Sequence, residues 1–201
     1  MQPRERNIWK NKKSTQGGLS LIELLAVIAI LGVISGITLA GYNKFSDQTI
    51  VTNLANDIGL SIRLAQSYGL NVRRHGNTFN TSYGVHFAKG TNNSYILYAD
   101  QNRSADNYKY SGDKVKTYTI SSGYIIKDVC ATPSGGGNPP PKCFSGNGIN
   151  SLDIAFDRPD PDAHFTSNAS TNYQSANIVI RSPRGVERTI RVLSTGYISI
   201  Q

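Results

Sequence analysis

The sequence predicts an α+β protein in which one long N-terminal α-helix, membrane-spanning in its first half and amphipathic in its second, packs on an antiparallel β-sheet domain. Three observations predict it. Leu19 to Tyr42 is a run of 24 residues holding a single charge, Glu23. Directly beyond it, apolar residues recur every three or four positions. Past residue 75 the pattern changes to short β-branched and aromatic runs separated by turn residues. The chain thus divides into a cytoplasmic leader over 1–18, a membrane helix over 19–42, its amphipathic continuation over 43–70 and a β domain over 71–201.

The apolar run, as a helix, spans roughly 36 Å at about 1.5 Å per residue, enough to cross a hydrocarbon core of about 30 Å. Before it, Arg4, Arg6, Lys10, Lys12 and Lys13 face one acid, Glu5. Positive charge stays on the cytoplasmic side, so the segment after Tyr42 lies outside. A cleaved secretory signal is the competing reading. Its apolar region would be about 7–15 residues and would end at a small-x-small site, and neither condition is met. A plain signal anchor accounts for length and leader but leaves Gly17-Gly18 and Glu23 without a reason. An ionisable group in a membrane helix costs about 2.5–3.5 kcal/mol at the centre and less toward an end, so it marks function. Gly32 and Gly36 have the GxxxG spacing that lets helices approach closely, although glycine is also common in membrane helices without that role.

After Lys44, the residues Val51, Leu54, Ala55, Ile58, Ile62 and Ala65 make one apolar face, and the helix continues to about Tyr68 with Gly69 at its end. Strands follow at Tyr83–Phe87, Tyr95–Tyr98, Lys116–Ile120, Tyr124–Ile126, Leu152–Phe156, Asn177–Arg181, Glu187–Leu193 and Tyr197–Ile200. Ser182-Pro183-Arg184-Gly185 is a hairpin turn between two of them.

The chain has 201 residues, is 38% hydrophobic and 17% charged, and carries a formal net charge of +8. That composition suits a folded domain rather than a disordered one. Half of the net charge belongs to the leader, so the rest of the chain is only mildly basic. Cys130 and Cys143 flank a Gly/Pro-rich loop and, outside the cytoplasm, read as a disulfide.

Lys12-Lys13, Gln16-Gly17-Gly18 and Leu19-Ser20-Leu21-Ile22-Glu23-Leu24-Leu25 together resemble the processing site of type IV prepilins and type II secretion pseudopilins. The resemblance implies cleavage between Gly18 and Leu19 by a prepilin peptidase, usually followed by N-methylation of Leu19, where the family usually has phenylalanine. Glu23 becomes the fifth residue of the mature chain. Its carboxylate would pair with an N-terminal amine in the filament and fix the subunit's register, since a paired buried charge is tolerated where a lone one is not. The order of elements beyond, with NLANDIGLSIRLAQSYG, YGVHF, ILYAD and VERTIRVLSTGYISI, is similar to the GspH/FimT type of minor pseudopilin. The implied partners are other pilin or pseudopilin subunits, the prepilin peptidase, a membrane assembly platform and, through it, a cytoplasmic ATPase. The implied location is the cytoplasmic membrane and then an external pilus or pseudopilus.

No catalytic constellation is legible, and neither an enzyme activity nor a cofactor is expected. His75, His86 and His164 lack ligand spacing, and His86 reads as a structural strand residue. Asp157, Asp160 and Asp162 form a weak calcium candidate, set against a solvated turn in which Pro159 and Pro161 hold the chain extended. Arg181, Arg184, Arg188 and Arg191 could contact phosphates, the basis of an alternative reading as a DNA-binding minor pilin of an uptake pilus. Strand alternation places Arg188 and Arg191 on opposite faces, which dilutes such a patch. A further alternative is an anchored external binding module that never polymerises.

Overall fold

The computed structural model describes residues 18, 20–71, 74–76, 81–101, 108–121, 123–135, 139–146, 148–170 and 172–201, with the backbone alone at 40–44. The leader residues 1–17 and Leu19 lie outside them. Two compact units are distinguished, one ending at Tyr42 and one running from Asn43 to Gln201. One helix, α1, covers Leu21–Leu70.

In the second unit, ten strands follow: β1 (Ser82–Ala88), β2 (Ser94–Asp100), β3 (Lys114–Thr119), β4 (Ile125–Pro133), β5 (Lys142–Cys143), β6 (Ser151–Phe156), β7 (Ala163–Ser167), β8 (Tyr173–Arg181), β9 (Glu187–Leu193) and β10 (Ile198–Ile200). They form two five-stranded sheets rather than one, in the orders β3-β2-β1-β6-β7 and β10-β9-β8-β4-β5. Each pairing is antiparallel. The chain changes sheet after β3, where Ile120 and Ile126 donate to the carbonyls of Asn93 and Asn92. It crosses back after β5 and again after β7.

The apolar stripe of α1 is buried as its spacing demands. Val51, Ala55, Ile58, Ile62 and Ala65 are at most 1% exposed. The helix is tied to both sheets. Ser61 hydrogen-bonds Tyr95 of β2 at 2.9 Å. Gln66 donates to the carbonyls of Pro161, before β7, and Gly196, before β10, at 2.9 and 3.2 Å. At its end, Gly69 lies so close to β6 that a Cβ there would stand 2.3 Å from the Phe156 carbonyl oxygen. Glycine is the residue that fits this approach.

Alternation divides β1 cleanly. Tyr83, Val85 and Phe87 join the core beneath α1, where Tyr83 meets Tyr68 edge-on with ring centroids 5.5 Å apart. Ser82, Gly84 and His86 face the other way, yet this face too is covered, by residues 108–113. Tyr98, fully buried, donates to the Tyr108 carbonyl at 2.7 Å. The Tyr110 ring sits over His86 at 4.8 Å. His86 Nδ1 meets Asp153 Oδ1 at 2.6 Å, and Asp153 is wholly buried with Oδ2 lacking a partner. His86 is a structural residue.

Burial pushes the Asp153 carboxyl up, against the hydrogen bond and charge of His86, which pull it down. A raised folded pKa means the native state binds more protons, so this group's contribution to stability falls as pH rises from the unfolded value, about 3.9, through the folded one. The stability of the protein minus that of Asp153→Asn should therefore decline as pH is raised from about 3.9 toward the ordinary histidine range. Urea midpoints of the two proteins in detergent across that interval measure it. A constant difference would show that burial does not perturb Asp153.

Candidate assembly site

In the first unit the described residues start at Gly18. Gly18 is exposed, and Ser20 opens the helix, its carbonyl accepting from the amides of Glu23 and Leu24. Glu23 occupies the first turn of α1, where the unpaired amides of a helix start favour a carboxylate. From Leu21 to Leu39 the helix is long and apolar enough to cross a membrane, and none of it is buried within the protein. Nineteen residues give about 28 Å of helix, close to a hydrocarbon core of about 30 Å. Near its far end the Thr38 hydroxyl is satisfied internally, donating to the carbonyls of Ile34 and Ser35 at 3.1 and 2.9 Å. Gly32 and Gly36 lie four residues apart on one face, and a Cβ at either would meet open space. They leave a shallow strip along the helix.

The second unit opens on a feature sequence reasoning missed. Asp47 is 3% exposed. Its Oδ1 accepts from Arg184 Nη1 at 3.0 Å and from the Tyr124 hydroxyl at 3.2 Å, while Oδ2 is buried without a partner. This pins the start of the amphipathic helix to the β8–β9 turn. The signal was available, because Asp47 occupies the same stripe as Val51 and Ala55, four and eight residues on. A carboxylate on a buried stripe demands a donor.

The four arginines of the terminal hairpin have different neighbours. Arg184 is held by Asp47. Arg181 Nε stands 3.7 Å from Glu187, which also takes Lys127 Nζ at 2.8 Å. Arg188 donates to the Glu187 carbonyl at 3.1 Å. Arg191 projects from the opposite face of β9, beside Thr132, Gln174 and Ser175.

The disulfide Cys130–Cys143 is present and joins residues directly opposite in the β4–β5 register. Asp128 secures the turn beyond it, accepting from the amides of Val129 and Ser145 at 2.9 and 3.2 Å and from the Ser145 hydroxyl. Among the described residues, the one cluster with three ligand-type atoms within 4.8 Å is Asp128, Cys130 and Cys143, whose cysteines are already bonded to each other. The calcium candidate does not gather. Asp157 turns toward His164 Nε2 at 3.1 Å, with Tyr108 stacked on that imidazole at 4.0 Å, whereas Asp160 and Asp162 are exposed. The prolines between them keep the chain from curling round an ion.

The described residues thus hold an unburied apolar helix and an antiparallel domain packed on an amphipathic helix. The prokaryotic N-terminal methylation motif matches residues 13–39. Two curated relatives, each described as a fimbrial protein of Pseudomonas aeruginosa, are 28% identical over 125 residues, covering 59% of this chain and 79% of theirs. No solved structure matches. Motif and relatives make the chain similar to type IV pilin-family proteins.

Arg184→Ala should cost about 1–3 kcal/mol, toward the low end because the guanidinium is half-exposed, by leaving buried Asp47 with one donor. Adding Asp47→Asn should recover part of the loss, since a neutral amide tolerates the site better. Chemical denaturation of the single and double variants decides this. A double variant less stable than Arg184→Ala would mean that Asp47 stabilises the protein without its arginine.

Proposed function

We propose that the chain is a minor subunit of the GspH/FimT type, built into a type IV pilus-like or type II secretion pseudopilus filament after cleavage between Gly18 and Leu19. The observation that carries this reading is the placement of a single carboxylate, Glu23, in the first turn of an apolar helix that directly follows Gly17-Gly18 and a basic leader. A prepilin peptidase releases the leader on the cytoplasmic side and methylates the new amine of Leu19. Until then, Leu21–Leu39 anchors the subunit in the cytoplasmic membrane with its β domain outside. A platform protein, driven by a cytoplasmic ATPase, draws it into the filament. There the Leu21–Leu39 helix exchanges lipid for neighbouring helices, with the strip at Gly32 and Gly36 allowing close approach. Glu23 then loses access to water and headgroups and must pair with an amine, so one axial position of the incoming subunit is favoured over others.

Coexpression with a prepilin peptidase should give a mature protein beginning at Leu19, read by intact mass and N-terminal sequencing. Gly18→Val should abolish that product. A chain that keeps Met1 with the peptidase present would leave a signal-anchored external domain, and the filament reading would fail.

Glu23→Ala should be cleaved normally yet enter sheared filaments roughly tenfold less, the equivalent of about 1.4 kcal/mol of lost pairing. Quantitative immunoblots of sheared and membrane fractions measure the ratio. Unchanged entry would remove Glu23 from assembly without touching the cleavage result.

A further inference from the structure

The outer face of the second sheet holds a small polar recess of about 220 Å³. Its lining follows from strand register. Thr132 of β4, Ser175 of β8 and Leu193 of β9 stand in one row across neighbouring strands, and Asn177 and Arg191 stand in the next row on the same face. Ala131, Ala176, Ile178 and Val192 take the core side of these strands, so alternation sends the polar set outward. Gln174, in the first turn of chain within β8, completes the border.

Three observations mark the recess as a binding site. Arg191 is exposed, and among the described residues its guanidinium has no hydrogen bond or ion pair. In this it differs from the rest of the hairpin, where Arg181 and Arg184 face carboxylates and Arg188 a carbonyl. The described lining holds no acid, so the field inside it is positive. Ser175 is only 4% exposed yet lines the recess, so the sheet fixes where its hydroxyl stands. Asn177 lies directly opposite Arg191 and keeps Oδ1 buried without a partner. A buried acceptor left unpaired calls for a hydrogen-bond donor. Beside a cation, that combination asks for a ligand bringing both a negative charge and hydroxyl protons.

We propose that the recess binds a single acidic sugar residue, a uronate-like ring with one carboxylate and several hydroxyls. The planar fork of arginine matches a carboxylate through two parallel hydrogen bonds. The hydroxyls of Thr132 and Ser175 and the amide of Gln174 each donate and accept, which suits the hydroxyls of a ring. Leu193 supplies an apolar edge for the C–H side of that ring. The volume lies below the roughly 300–1,000 Å³ of pockets for drug-sized ligands, so one ring enters and the rest of a saccharide chain stays outside. One cation answers one charge. A nucleic acid would need several cations in line, and the other three hairpin arginines have partners of their own. The site belongs to the β domain alone and stands apart from the filament reading.

Ligand-observed NMR titrations of the full chain in detergent micelles test it, with D-glucuronate as the probe and acetate, D-glucose and a short DNA duplex as comparators. Glucuronate should bind saturably, roughly tenfold tighter than acetate or glucose, and Arg191→Gln should weaken it by about tenfold or more. That variant should keep the wild-type melting temperature, because the side chain is exposed and has no partner to lose. Arg191→Lys, which keeps the charge without the fork, should fall between the two. The proposal is overturned if glucuronate shows no saturable binding, or if a folded Arg191→Gln or Arg191→Lys binds it undiminished. Acetate bound as tightly as glucuronate would leave a bare anion site, and glucose bound as tightly a charge-blind one; either overturns it. So does a duplex that displaces glucuronate and is itself lost with Arg191→Gln, since the recess would then belong to a nucleic-acid surface.

Discussion

The external domain depends on one stripe of one helix being covered by two sheets at once. Ile58 and Ile62 are buried to within 1%, each worth about 1.5–3 kcal/mol by burial alone. Neither sheet could cover the stripe by itself, because the polar ties alternate between them: Ser61 to β2, Gln66 to the approaches of β7 and β10, Asp47 to the β8–β9 turn. Removing the helix would leave two sheets whose inner faces, Val85 and Phe87 on one, Ile178 and Ile190 on the other, have nothing between them and water. Near the helix end, Gly69 admits the close approach of Phe156 and Gln66 ties the carbonyls of Pro161 and Gly196.

The same helix meets two solvents, and its composition changes where the solvent does. Up to Leu39, all sides are apolar and exposed, which is stable in lipid and costly in water. Past Asn43, one side is polar and the other buried. Asp47 marks the changeover as the first charge on the buried stripe, and it is bearable because Arg184 and Tyr124 reach it. Fixing the start of the amphipathic part in this way sets which flank of α1 faces outward.

Much of this was legible in the sequence because it rests on periodicity. The three-and-four spacing of Val51 to Ala65 survives any detail of packing, and so do the alternating strands from Tyr83 onward. The cysteine pairing was legible from compartment and spacing. What escaped were features without a local pattern. β7, with the sequence AHFTS, and the two-residue β5 are too short and mixed to declare themselves. The division into two sheets is decided where the chain turns after Ile120, and no periodicity encodes that. The cover over His86 and Asp153 comes from Tyr108 and Tyr110, in a polar stretch that reads as loop. The tie from Asp47 to Arg184 also escaped, although the place of Asp47 on the apolar stripe was visible. The N-terminal methylation motif over residues 13–39 was the most legible, because it is local.

Charge follows the same division between local and tertiary causes. A net charge of +8 invites an anionic partner, yet half of it lies within residues 1–18. In the β domain, Arg184 neutralises a buried carboxylate, while Arg181 and Lys127 share Glu187. Lys114 and Lys116 guard a sheet edge. These cations act as structural and topological elements, each explained by a neighbour within the fold. A surface built to hold a polyanion would instead align unspent cations on one face, as the salt-dependent release of counterions requires several at once. Here the arginines of β8 and β9 point in different directions because strand alternation and the turn send them there.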